Sequence, residues 1–329
     1  MKGILVVVFV CGLCACGNKV RLPPTPPPSA TSIAASTSVT FDIDSAYVYV
    51  AQQVAFGPRV PNTAAHRACG EFFVDVLKRH GAQVHVQEAE LKAYDGTRLQ
   101  ARNIVGVYRP DLAQRILLCA HWDSRPFADH DTDTANHLHP IDGADDGASG
   151  CGVLLEISRQ LGLRAPTVGV DIILFDAEDY GVPAFDKEIY VTDSWCLGSQ
   201  FWAKNPHVKD YRAEYGILLD MVGAKDASFF KEWLSVHKAA PIVEKIWNTA
   251  RRLGYGRYFV DAIGGAITDD HVYVMAGRRF PCIDIIHYDP DSQTGFASHW
   301  HTPSDNLQII DPKTLHAVGE TILTLLYEN

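Results

Sequence analysis

Several short stretches of this chain concentrate imidazole and carboxylate side chains. They are HWDSR from His121, GADDGASG at 143–150, Asp176-Ala177-Glu178-Asp179, Asp220 after YGILL, TDDH at 268–271 and SHWHT at 298–302. None of these stretches contributes a thiolate, and a nitrogen and oxygen donor set suits zinc in a catalytic rather than a structural site. Any single member has a plainer explanation, because Asp caps helices and turns and a lone His needs no metal. Asp145 is accordingly expected to be a turn or capping residue, and Asp123 to orient His121 through a hydrogen bond rather than to bind metal. Taken together they point to a metal centre, since separately placed caps give no reason for His in both the first cluster and the last. A Ser nucleophile is the competing chemistry. GASGC at 147–151 lacks the GxSxG spacing of a nucleophile elbow, and no strand leads directly into it.

Such residues work only if the backbone brings them together. Short apolar runs at Asn103–Tyr108, Arg115–His121, Val168–Phe175, Tyr215–Met221 and Phe280–Ile286 read as strands. Helical spacing appears at Ala64–His80, Gly150–Leu161, Pro241–Leu253 and Pro312–Leu326, with Pro at two of the starts. This alternation predicts an α/β fold, a three-layer α/β/α sandwich with a mixed, largely parallel central sheet. In such a sheet ligands collect beyond the carboxyl ends of the strands, which is where the polar clusters fall. The segment Tyr180–Asp193 has no clear period, and a loop of that length inside a domain is more often functional than decorative. Phe296 and Trp300 fit either core packing or a pocket wall.

The chain has 329 residues, 47% of them hydrophobic and 21% charged, which excludes disordered, collagenous and coiled-coil classes. With 29 Lys and Arg against 39 Asp and Glu, the formal charge of −10 gives no support to nucleic-acid binding. Residues 1–15 read as a signal peptide, with Lys2 ahead of an apolar run too short to span a bilayer. Leu13-Cys14-Ala15-Cys16 resembles a bacterial lipobox, which makes Cys16 the expected lipidation site. Residues 16–40 then form a Pro-, Ser- and Thr-rich tether, and 41–329 a single catalytic domain. The expected location is exported and lipid-anchored, at the outer membrane facing the periplasm, as Gly17 is no Asp-type inner-membrane retention signal. Five cysteines remain in the domain, an odd number without a CxxC pair, so a disulfide scaffold or thiolate zinc site is not expected.

HWDSR, GADDGASG, FDAED, LLDMVGA, DDHVYV, DSWCLGSQFWA and HWHTPSDN occur in the order found in glutaminyl-peptide cyclotransferases. From about residue 50 to the C-terminus the chain resembles the animal-type, zinc-dependent members of that family, whose superfamily also contains zinc aminopeptidases. The resemblance implies one zinc per chain on Asp146, Asp179 and His301. It implies Glu178 as proton carrier, Asp220 and Asp270 as its acidic partners, and Trp300 and Phe296 as substrate-pocket aromatics. His121 matches a ligand of the second metal in the aminopeptidases. Two departures stand out: Asp179 replaces a Glu of the animal enzymes, and Ala120 replaces one half of their disulfide while Cys151 occupies the other half. The segment after Asp179 has no obvious match to the animal pocket Trp.

The implied reaction converts an N-terminal Gln of a peptide or protein to pyroglutamate with release of ammonia, by a transferase acting as a monomer without nucleic-acid partners. The runner-up is an aminopeptidase using His121, Asp146, Asp179, Asp220 and His301 on two metals. A noncatalytic binding domain of the same fold ranks last, because it would require a missing ligand or a missing Glu178.

Overall fold

The computed structural model describes residues 39–328. The signal segment, Cys16 and most of the tether therefore lie outside the described residues. The first helix, α1 (Ile43–Ala55), starts where the Asp42 side chain accepts the Ser45 N–H, and α2 (Ala64–Arg79) starts on the Thr63 hydroxyl in the same manner. A hairpin follows, β1 (Gln83–Lys92) and β2 (Arg98–Tyr108), paired in antiparallel register from Gln83 opposite Val107 to Lys92 opposite Arg98.

The rest of the main sheet comes from β3 (Arg115–His121), β4 (Gly169–Phe175), β5 (Tyr215–Asp220) and β8 (Cys282–Ile286). Its order is β1-β2-β4-β3-β5-β8, with β2 antiparallel to β4 and the four strands from β4 to β8 parallel. These parallel strands are buried on both faces, which is why their sequences read as unbroken apolar runs. Their side chains alternate between two cores. Ile116, Leu118, Ala120, Ile172, Leu174, Ile217, Leu219, Ile283 and Ile285 pack with α1, α2, α3 (Ala148–Leu163), α5 (Trp233–Arg252) and α7 (Pro312–Tyr327). Leu117, Cys119, Ile173, Phe175, Leu218 and Cys282 pack on the other side, with Trp202 of α4 (Leu197–Lys204) and Val274 of α6 (Asp270–Arg278). The fold is thus the three-layer sandwich expected from the alternation.

The local surprises have local causes. The helix expected from Pro241 begins eight residues earlier, at Trp233, but Ala239 breaks the helical dihedrals (φ −146°), so Pro241 does open a second helical piece. A small two-stranded sheet, β6 (Phe229–Lys231) with β7 (Phe259–Ile263), flanks α5. Cys69, Cys119, Cys151, Cys196 and Cys282 are all buried free thiols; the Cys151 thiol donates to the His121 carbonyl at 3.1 Å instead of bridging.

Candidate active site

Three of the clusters sit where strands end. β3 closes on His121 and turns into Asp123, β4 runs into the Asp176–Asp179 turn, and β5 closes on Asp220. The turn after β4 is held from several sides. Asp176 faces His66 Nε2 at 2.9 Å and accepts the Ala177 N–H at 2.7 Å, so this acid fixes the backbone rather than serving a ligand. Ala177 takes a positive φ of 53°, and Asp123 then accepts the N–H groups of Glu178 and Asp179, each at 3.1 Å. Asp305 plays the same part for the turn before α3, accepting from Asp145 at 2.7 Å and Asp146 at 3.1 Å.

In the turn that brings Asp146 into the site, Gly147 (φ +91°) passes so close that a Cβ would lie 2.7 Å from the Asp123 carbonyl and 2.9 Å from His121 Cε1. Asp145 lies in a turn, as expected, but it does not cap the helix that follows. The N-cap of α3 is Gly147, without a side-chain bond, and the Asp145 carboxylate reaches instead to the Gly223 and Ala224 N–H groups. The GASGC serine, Ser149, is fully buried, donating to the Asp145 carbonyl and accepting the Val222 N–H, which removes it as a nucleophile.

Asp146, Asp179 and His301 present ligand atoms within 4.8 Å of one another, and all three are buried. His301 Nε2 lies 3.2 Å from Asp179 Oδ1 and 3.6 Å from Asp146 Oδ2, while Asp179 Oδ2 is buried with no hydrogen-bond partner. Two carboxylates, an imidazole and an orphaned buried oxygen fit a divalent cation, since buried charge of one sign needs compensation. Burial, and then the charge of Asp146, push the Asp179 carboxyl up to about 6. A second set shares Asp146: His121 Nε2 lies 2.9 Å from Asp146 Oδ1 and 3.2 Å from Asp220 Oδ1.

Behind His301 sits a pair that sequence reasoning missed. Arg125 and Asp129 are joined by two bonds of 3.1 and 2.8 Å, and Asp129 Oδ1 lies 3.2 Å from His301 Nδ1. Burial works against ionisation of Asp129, but the His301 and Arg125 partners prevail and hold it well below the usual carboxylate range. Arg125 also donates to the carbonyls of Asp179 and Gly181, tying the ligand turn to the start of the long loop. The Arg lay within HWDSR, but only the fold shows what it holds.

Glu178 points into the same space beside Cys196, whose thiol donates to Oε1 at 3.1 Å, and Asp269 completes a group within 4.8 Å. Burial raises the Glu178 carboxyl well above its ordinary value, with Asp179, Asp269 and Asp270 adding to the effect and His121 opposing it. Asp220 is likewise raised by burial, against the pull of His121. The two acids of the DDH motif separate: Asp269 lines the cavity, whereas Asp270 begins α6, is fully buried, and is pushed up to about 8 by burial and by Asp269.

These groups open into a cavity of about 520 Å³ with aromatic walls. Trp300 stacks on His301 with centroids 3.8 Å apart, and Phe296 packs on Trp300 at 4.4 Å, so both face the pocket as well as packing locally. Trp195 is the wall residue absent from the sequence reading. It closes the loop after Asp179, lies parallel to the His301 ring within 14°, and carries the Arg125 guanidinium 4.3 Å above its face. Its place in DSWCLGSQFWA was visible, but not that the loop would fold back onto the metal-ligand set.

Comparison with known proteins agrees with this arrangement. The chain is 62% identical to a glutaminyl cyclase of Tannerella forsythia, with a TM-score of 0.87 over 88% of this chain and 99% of that one. It is 64% identical, again with a TM-score of 0.87 and the same coverage of each chain, to a Zn-dependent exopeptidase of Parabacteroides distasonis. Among curated relatives, the glutaminyl-peptide cyclotransferase of Drosophila melanogaster is 27% identical over 282 residues, 78% of this chain and 73% of that protein. Residues 103–326, which carry every parallel strand and the whole ligand set, match peptidase family M28, and the chain belongs to that family.

Proposed function

We propose that the protein is a zinc-dependent glutaminyl-peptide cyclotransferase, with Asp146, Asp179 and His301 as the zinc ligands. The observation that carries this is the placement of Glu178 beside that ligand set in a small aromatic-walled cavity, suited to one side chain and its own α-amine. The likeness to the Tannerella forsythia cyclase supports it. When bound, a single zinc supplies Lewis acidity toward the substrate's carboxamide oxygen.

The chain's own residues do the rest. Trp300, Phe296 and Trp195 enclose the glutamine side chain and exclude water. Glu178 takes a proton from the α-amine as its nitrogen bonds to the side-chain carboxamide carbon, and delivers a proton to the departing nitrogen as the old C–N bond breaks. Ammonia leaves and no water is consumed. Asp220 and Asp270 are the proposed acidic partners of Glu178, and Asp269 joins them because its carboxylate lies within 4.8 Å of that of Glu178 and lines the cavity. Because both reacting groups belong to one residue, orientation in the pocket replaces much of what a second metal does for a hydrolase.

The second reading, an aminopeptidase, is favoured by one observation: His121, Asp146 and Asp220 also form a compact ligand set. Ammonia release from a peptide with a free N-terminal Gln, set against the same peptide acetylated at its α-nitrogen, tests the proposal. The free peptide should yield ammonia and the blocked one none; release of free glutamine instead would favour the aminopeptidase.

The substrates are taken to be exported peptides or proteins with N-terminal Gln, met by a monomeric enzyme tethered through a lipid on Cys16 at the outer membrane, facing the periplasm. No described helix is long and apolar enough to cross a membrane. Cys16→Ser should move the protein from the membrane fraction to the soluble one, or block its maturation, and leave turnover unchanged.

A further inference from the structure

A second cluster of metal-type donors lies apart from the reacting groups. Asp145, His287 and His299 come from three segments, the turn before α3, the residue after β8 and the stretch leading to His301, yet their donor atoms lie within 4.8 Å of one another. Asp145 is fully buried, with Oδ1 committed to the Gly223 and Ala224 N–H groups at 2.7 and 3.0 Å. Its Oδ2 is directed at His299 Nε2, 3.0 Å away.

His287 is only 8% exposed, and its Nδ1 is buried without any hydrogen-bond partner. The backbone there is held in place. His287 bridges Phe229, and the next residue, Tyr288, donates its N–H to the Ser228 carbonyl at 3.0 Å. A buried imidazole nitrogen with no partner costs desolvation energy that nothing in the protein returns.

We propose that Asp145, His287 and His299 form a second binding site for a zinc-type divalent ion, apart from the reacting groups. Two imidazole nitrogens and a carboxylate oxygen are the donor chemistry such ions prefer. Ligands of a tetrahedral zinc at about 2.0–2.1 Å lie about 3.3 Å apart, close to the existing His299–Asp145 separation, so an ion replaces the shared proton with little movement there. His287 needs only a modest shift to complete the set. The ion would pin both ends of the 287–299 segment, which supplies Tyr288, Ser292, Gln293, Thr294 and Phe296 to the cavity wall. Its role is to stiffen that wall, and the inference does not depend on which reaction the cavity catalyses.

The test is metal content. The chelator-stripped protein is equilibrated with excess zinc chloride, freed of unbound metal and analysed by elemental analysis, with a melting curve for each variant. Wild type should hold two zinc ions per chain, His287→Gln and His299→Gln one each, and Asp220→Asn two. The pair of histidine variants guards against one of them failing to fold. A wild type that holds one zinc overturns the proposal. So does a second zinc that survives both histidine substitutions, or one that is lost in Asp220→Asn, which would assign it to the His121, Asp146 and Asp220 set.

Discussion

The carboxylate of Asp123 accepts the backbone N–H of Asp179 at 3.1 Å, so an acid on the loop after β3 fixes the position of a proposed metal ligand on the turn after β4. Its other oxygen holds Glu178 by the same kind of bond. The ligand and the proton carrier therefore share one anchor. Asp123→Ala leaves two buried N–H groups unpaired and frees the turn, and zinc affinity or turnover should fall about 10- to 100-fold, as outer partners of metal ligands typically show. Zinc titration and turnover on the purified variant check this; wild-type values for both would mean that the turn is held by Arg125 and Asp176 alone.

Glu178 and Asp179 are neighbours with different assignments. Glu178→Gln keeps the size and removes the ionisable group, so zinc content and melting temperature should persist while turnover drops by about 10²-fold or more. Asp179→Asn should lose the zinc of the Asp146, Asp179 and His301 set together with activity. The reverse pattern, with zinc lost from Glu178→Gln and kept by Asp179→Asn, would exchange the two roles.

Gly147 is predicted to tolerate no side chain. Alanine there combines a positive φ with a Cβ 2.7 Å from the Asp123 carbonyl, and this should cost about 1–3 kcal/mol through strain alone. A thermal melt of Gly147→Ala that matches wild type would show that the turn has an alternative path.

Acid sensitivity should come in part from a residue far from the cavity. His80, bonded to Ser158 at 2.6 Å and Tyr49 at 3.2 Å, is lowered to about 4, mainly by burial and then by the charges of Arg79 and Arg159. The unfolded chain protonates its histidines near 6.5 and the folded His80 only near 4, so between those values the unfolded state binds more protons. Stability linked to His80 is therefore complete above about pH 6.5 and declines as pH falls toward about 4. Denaturant midpoints of wild type and His80→Gln, compared at about pH 7.5 and about pH 5, should show the gap between them narrowing in acid. A gap that is constant or widens would contradict the linkage.

Much of this site was legible because parallel strands buried on both faces leave unbroken apolar runs, and RILLCAH ends at His121 while VDIILF leads into the turn that carries Glu178 and Asp179. The strand β1, QVHVQEAELK, was not, because it lies at the sheet edge with alternate residues exposed and too few apolar side chains to stand out. Asp305 and Asp146 lie 159 positions apart, and nothing local in either segment marks one as the clamp of the other. Asp269 and Asp270 are chemically equivalent in sequence. They separate only because α6 begins between them: the extended Asp269 (φ −149°) lines the cavity, and the first helical residue is buried behind it.

The central claim is that the enzyme closes a ring within one residue rather than adding water across a peptide bond. Its most direct test is the intact mass of a peptide with N-terminal Gln after incubation with the zinc-loaded protein. Cyclisation predicts a product of unchanged length, lighter by one molecule of ammonia. A product shorter by its first residue, with free glutamine in solution, would contradict the account.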